Sequence, residues 1–234
     1  ASLAIWLDAD DASTITLNGS NVSQWDDKSG NGNHVAQGAA AVQPAYTLNN
    51  LNNKPGITST GSALLESLSN IAWNFDISSF ATVCNFASVD AYEMLFQLTS
   101  PTEGGSTDFL FFRRNQSFNT IDFNSSSTGL GELSSDAAVY TGRYERNIAR
   151  NTSVNGAVFT GTPSGAFTGQ VSNARFSILG PSNPFAGSLN EIILCKNYLP
   201  DADRQKLEGY LAWKWGLEAN LPAGHPYKST PPTA

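Results

Sequence analysis

The sequence predicts an all-β fold: a two-sheet antiparallel jelly-roll sandwich with one short C-terminal helix. Three observations predict it. Alternation of apolar and polar residues with period 2 recurs along most of the chain, broken by turn residues. Only 14% of the 234 residues are charged, against a usual share of about 25%, and Asn, Ser, Thr and Gly replace them, as suits many short strands joined by turns. A single segment, PDADRQKLEGYLAWKWG, carries a helical period instead. With 40% hydrophobic residues, a chain of this length can bury one sizeable core. No internal repeat or interdomain linker divides it, so residues 1–234 are expected to form one domain.

The elements follow in order. LAIWL (3–7) is apolar throughout and reads as a strand covered on both faces. NNLNNKPG (49–56) reads as a loop. SFATVCNF (79–86) and YEMLFQL (92–98) read as strands that could pair. DFLFFRR (108–114) sets Phe109, Phe111 and Arg113 on one face, and NTIDFN (119–124) alternates. VYTGRYERNIARNTSV (139–154) is long enough for two strands. Asn155-Gly156, between TSV and AVF, is a strong hairpin signal because both turn residues must take positive φ. RFSILG (175–180) and SLNEIILC (188–195) are further strands.

The helix is expected at about 201–215. Pro200 suits its first turn, Asp201 and Asp203 favour the positive end of its dipole, and Gly216 stops it. Leu207, Leu211 and Trp215 form the stripe expected to pack on the sandwich, with Tyr210 beside it. Residues 217–234 are too Pro-rich for a helix or a central strand and read as an extended tail lying on the sandwich.

The ordered set LAIWLDADD, VSQWDDKSGNGNH, KPGI, the VNG turn, FAGSLNEIILCKNYLPDADRQKLEGYLAWKWG and LPAGHPYKSTPP resembles the laminin-G-like, concanavalin A-like jelly-roll domains of bacterial and phage surface proteins. The match spans nearly the whole chain, weakly over 62–135. The sequence departs from that pattern at Cys195 and Pro200, both structural positions. The resemblance implies a domain that binds glycans or surface proteins, often with Ca2+ at the sandwich rim, in an extracellular, cell-surface or virion setting.

The residues themselves exclude several functions. A net charge of −7 argues against nucleic acid, which needs clustered Lys and Arg. The one dense basic stretch, Arg143, Arg146 and Arg150, is interrupted by Glu145 and reads as a solvated strand face. No apolar run suits a membrane span, so no membrane insertion is expected. ASLAIWLDAD has no basic start and reads as a strand rather than a signal peptide, as expected of a mature product or an excised domain. Cys84 and Cys195 read as buried free thiols, with a disulfide between neighbouring strands as the alternative.

No catalytic constellation stands out. Glu191 is alone in SLNEIIL, on the face of Leu189 and Ile193, which suggests a structural or rim role. Asp108 and Asp122 are candidates for a cross-strand carboxylate pair, and HPYKS is only a superficial echo of a lyase motif. QWDDKSGNGNH follows EF-hand ligand spacing at Asp27, Ser29 and Asn31, with Gly32 in place, but fails at its twelfth position, Gly38. It reads first as a turn and second as a calcium ligand, with Asp8, Asp10, Asp26 and Asp27 as the donors. For a sugar platform the candidates are Trp73, Tyr92, Arg113 and Tyr144, although aromatics in strands are more often core. The expected function is a non-catalytic recognition domain for glycans. A decoration module of a virion or fibre is the first alternative, a polysaccharide hydrolase or lyase the second.

Overall fold

The computed structural model describes residues 2–87, 93–101, 107–115, 120–123, 134, 136–161, 170–180 and 183–233. In chain order the strands are β1 (Leu3–Asp8), β2 (Ile15–Asn18), β3 (Asn21–Trp25), β4 (Val35–Ala36), β5 (Ala45–Leu51) and β6 (Lys54–Thr60). Next come β7 (Leu65–Ser67), β8 (Ile71–Asn74), β9 (Ile77–Phe86), β10 (Glu93–Pro101), β11 (Thr107–Asn115) and β12 (Thr120–Phe123). The last are β13 (Ala138–Glu145), β14 (Ala149–Val154), β15 (Ala157–Gly161), β16 (Gln170–Ile178) and β17 (Ala186–Cys195), followed by helix α1 (Asp201–Trp215). The fold is all-β with antiparallel pairing and one helix, as the alternation predicts.

The strands form two layers. The first runs β15–β14–β13–β9–β17, with β1 and β6 sharing the far edge of β17 and β5 beyond β6. The second runs β12–β11–β10–β16, continues through β8 and β7 side by side, and ends in β4, β3 and β2. β9 and β10 therefore do not pair, contrary to the sequence expectation. They belong to opposite layers, and Phe80 and Phe96 meet edge to face across the core with centroids 5.2 Å apart. Phe112 joins them at 4.7 Å from Phe80, so an aromatic cluster locks the layers together. Residues 49–56 likewise form the end of a hairpin rather than a loop. Asn52 and Asn53 take φ of 48° and 63°, a left-handed turn that asparagine tolerates, and let β5 fold back on β6.

Asn155-Gly156 makes the predicted hairpin between β14 and β15, with φ of 48° and 85°. Cys84 and Cys195 are free and buried.

α1 covers the outer face of the first layer. Leu211, Ala212 and Trp215 are buried against Ala81, Val83, Val139 and Ile193, and Leu207 and Tyr210 pack at the margin. Gly216 ends the helix in the left-handed conformation at φ 67°, where its N–H donates to the Ala212 carbonyl. The tail crosses the helix rather than the bare sandwich. A Cβ on Gly209 would come within 2.6 Å of Tyr227 Cβ, so the missing side chain is what allows the crossing. His225 and Pro222 then reach the β14–β15 turn at Gly156.

Candidate functional site

Two carboxylates are buried between α1 and the first layer, and both are saturated. A bulge at Asn190 shifts β17 by one residue, so Glu191 opposes Val83 and faces the helix, whereas Leu189 faces the inter-sheet core. The expectation that Glu191 shares a face with Leu189 is thereby corrected, and the expected link with Ile193 stands. Glu191 Oε1 accepts from Trp6 Nε1 at 2.8 Å and the Tyr210 hydroxyl at 2.9 Å. Its Oε2 accepts from Lys214 Nζ at 2.7 Å and Trp215 Nε1 at 2.8 Å. Burial first, and then the Glu191 charge, push the Tyr210 phenol far above its ordinary range. Lys214 also reaches Asp8 at 2.6 Å.

The second buried carboxylate, Glu208, receives Arg204 Nη1 at 2.6 Å on each oxygen and Thr141 Oγ1 at 3.0 Å. Ser153 Oγ donates to it as well. His225 Nε2 lies 3.2 Å from its Oε2. Four donors converge on each carboxylate in the protein interior, an arrangement that builds an architecture and leaves no lone pair for a substrate proton.

The QWDDKSGNGNH loop is a turn organised by Asp27. Its Oδ1 accepts from the backbone N–H of Trp6 and of Ser29, both at 2.9 Å. Its Oδ2 accepts from the Ser29 hydroxyl at 2.7 Å and the Asn33 N–H at 3.0 Å. The other proposed metal donors are also engaged. Asp8 holds Lys28 and Lys214, Asp10 holds Lys54 at 2.5 Å, and Asp26 takes Gln24 Nε2 at 2.7 Å and lies 3.2 Å from His34 Nδ1. Ammonium groups, backbone N–H groups and the Gln24 and His34 side chains occupy these oxygens, so a calcium ion would have to displace them. Among the described residues no three His, Cys, Asp or Glu side chains are grouped to hold a metal ion.

Asp11 gives this end of the molecule an acid dependence. Its hydrogen bond from Lys28, helped by Ser13, lowers the carboxyl from 3.8 to about 2. A carboxyl lowered on folding contributes stability that is complete above its unfolded pKa and lost as pH falls through the folded one. The loss is therefore expected between about pH 4 and about pH 2. Asp11→Asn should flatten that limb in acid titrations followed by circular dichroism. Superimposable acid limbs would contradict the assignment.

The face left open lies on the second layer. The inter-sheet core takes Val35, Leu65, Phe96, Leu98, Phe112, Phe176 and Ile178, so their neighbours in the pleat turn outward. Backbone register aligns Ala36 with Glu66, Glu66 with Ser177, and Ser177 with Gln97; Arg175 stands opposite Thr99 and Arg113 opposite Met94. Gln97 and Ser177 are buried, at 8% and 2% exposure, while Glu66 and Arg175 are exposed. The result is a floor of amide and hydroxyl groups beneath a charged rim. Ser177 Oγ donates to Glu66 Oε1 at 3.4 Å. Among the described residues, no helix packs over this face.

The sequence candidates fare unevenly. Arg113 is half-buried on this face, opposite Met94 on β10. Trp73 and Tyr144 are corrected: they are 2% and 0% exposed inside the inter-sheet core, because β8 and β13 turn those positions inward, and neither ring offers a face to a ligand. Tyr92 lies outside the described residues. Asp122 stands opposite Arg113, not Asp108, so the carboxylate pair is absent from the register. Arg143 and Arg150 are also corrected, from a solvated face to 5% and 1% exposure; Arg143 meets the helix start, 2.7 Å from Asp201. Glu66, Gln97, Arg175 and Ser177 escaped the sequence reading. Strand alternation marks each as outward-facing, but only register gathers three separate strands into one row.

No family model and no curated protein matches the sequence. Solved structures do. Domain 4 of AbnA, a GH43 extracellular arabinanase from Geobacillus stearothermophilus, in complex with arabinotriose, is similar at TM-score 0.56 and 13% identity, over 89% of this chain and 98% of that one. Trypanosoma rangeli sialidase is similar at TM-score 0.60 and 12% identity, over 91% of this chain and 33% of that one. The botulinum neurotoxin serotype D ligand binding domain, in complex with N-acetylneuraminic acid, follows at 0.53 and 11%, over 88% and 50%. The chain thus spans nearly all of the arabinanase domain but only a third of the sialidase. At these identities the likeness is one of fold.

Proposed function

We propose that this chain is a non-catalytic carbohydrate-recognition module of the laminin-G-like type, acting outside the cell and laying a glycan across the open face of the second layer. The observation that carries this reading is the asymmetry of the sandwich. One outer face is closed by α1, and the other keeps Gln97 and Ser177 as a polar floor between exposed Arg175 and Glu66. Amides, hydroxyls and a guanidinium are the planar or forked groups that pair with vicinal sugar hydroxyls. The carboxylates support the non-catalytic part of this reading. Glycosidases place two of them about 5–10 Å apart around the scissile bond. Glu66 has no such companion among the described side chains of this face, and Glu191 and Glu208 are buried behind the helix. The arabinanase domain and the neurotoxin domain, both solved with sugars, support the same reading.

Calorimetric titration with arabino- and sialo-oligosaccharides tests it, alongside reducing-end and ultraviolet assays for products. Binding in the micromolar to millimolar range is expected, weakened at least ~10-fold by Arg175→Ala or Glu66→Ala, with no turnover. Turnover abolished by Glu66→Gln would make the protein an enzyme. No binding across a broad panel would favour a structural module.

A further inference from the structure

The first layer carries a separate cleft at the end where the β8–β9 and β13–β14 turns meet. It encloses about 390 Å³ and is lined by Asn74, Asp76, Ile77, Glu145, Arg146 and Ile148, with Asn147 at its edge. The walls are fixed by backbone: Glu145 pairs with Ile77 in the β9–β13 ladder, and the Arg146 N–H donates to the Asp76 carbonyl at 2.8 Å. Arg146 Nη1 lies 3.1 Å from Asp76 Oδ1, which holds the guanidinium across the cleft.

Three features are unspent. Among the described residues, the half-buried Glu145 carboxylate meets no side-chain donor, Arg146 Nε is buried without a partner, and Ile148 is 69% exposed. Asn147, at φ 58°, presents an exposed amide beside them. An exposed isoleucine alone is ordinary on a surface, but here it borders a cleft that also holds unpaired hydrogen-bonding groups, and a sugar ring takes both: hydroxyls that pair with planar groups, and a C–H face that rests on an apolar side chain. The charges choose among sugars. Asp76 faces Arg146 across the cleft, and the Glu145 carboxylate stands on its wall, where it disfavours an acidic sugar and offers too few oxygens for a metal ion.

We propose that the cleft between residues 74–77 and 145–148 is a second carbohydrate site, taking a single neutral sugar ring. The ligand class rests on the carbohydrate-binding reading given above, but none of the residues is shared with the open face.

Amide chemical-shift mapping on the intact chain tests it, with methyl arabinofuranoside as the neutral probe and N-acetylneuraminic acid as the acidic one. Saturable shifts at 74–77 and 145–148 are expected with the neutral probe, and binding at least ~10-fold weaker with the acidic one. Glu145→Ala and Ile148→Ser, both away from the core, should each weaken the neutral probe by about 10-fold while leaving the remaining spectrum intact. Shifts confined to the open face, or equal binding of the acidic probe, would overturn the second site and leave the open-face reading standing. Shifts confined to the cleft would do the reverse. No shift anywhere, with these probes and with arabino- and sialo-oligosaccharides, would overturn both.

Discussion

Replacing Glu191 with leucine is expected to destabilise the protein by about 3–5 kcal/mol, the cost of removing one partner from a buried ion pair. The substitution keeps roughly the same volume and strands Trp6 Nε1, Trp215 Nε1, the Tyr210 hydroxyl and part of the Lys214 ammonium in one step. Each donor left without an acceptor costs about 1–3 kcal/mol, which outweighs the ~1–2 kcal/mol that a buried leucine returns through the hydrophobic effect. Asp8 still holds Lys214, so the ammonium is not wholly abandoned, and the loss stays inside that range. Chemical denaturation measures it, and in a domain of this size the melting temperature should fall by about 6–20 °C. Glu191→Gln, which keeps one acceptor oxygen, should lose about half as much. A loss below about 1 kcal/mol for the leucine variant would mean that the four contacts do not hold the helix to the sheet.

Glu208→Ala is expected to cost a similar ~3–5 kcal/mol but to fail in a different place. Its carboxylate joins Arg204 of the helix, Thr141 and Ser153 of β13 and β14, and His225 of the tail. Without it, Arg204 keeps only Asp201, 3.6 Å away and largely solvent-exposed, as a counter-charge. The tail then depends on Tyr227 against Gly209, on Trp213 Nε1 donating to the Tyr227 carbonyl at 2.8 Å, and on Lys228 Nζ donating to the carbonyls of Glu218 and Ala219. Those contacts lie near the surface and are individually worth about 1 kcal/mol. The tail should therefore detach before the sandwich unfolds. Limited trypsin digestion reads this directly: cleavage after Lys228 should appear in Glu208→Ala while the body stays intact. In Glu191→Leu, tail and body should be cut together. The same pattern in both variants would show that the tail is not a separately anchored element.

The contrast between these glutamates measures what was legible in advance. The all-β class, the helix over 201–215 with its stop at Gly216, and the Asn155-Gly156 hairpin were determined by the sequence itself. Each depends on a local rule: a period of 2 or 3.6, a positive φ, or a dipole end complemented by Asp201 and Asp203. Burial of Leu211 and Trp215 followed from the same periodicity. Partner choice did not. Alternation says that a strand has two faces and leaves open which face meets the core, so Trp73 and Tyr144 stand as platform candidates beside the commoner core reading, and β8 and β13 turn them inward. A single extra residue in β17, Asn190, sent Glu191 to the opposite face from Leu189, and no local pattern announces a bulge. The open face is decided in the same way. Glu66, Ser177 and Gln97 come from strands scattered over more than a hundred residues, and only the register of β7, β16 and β10 sets them side by side. Hydrogen-bonding groups on a backbone are identical from residue to residue, so pairing between strands distant in the chain carries no local signature. It is selected by which buried surfaces fit together, and that choice belongs to the whole chain at once.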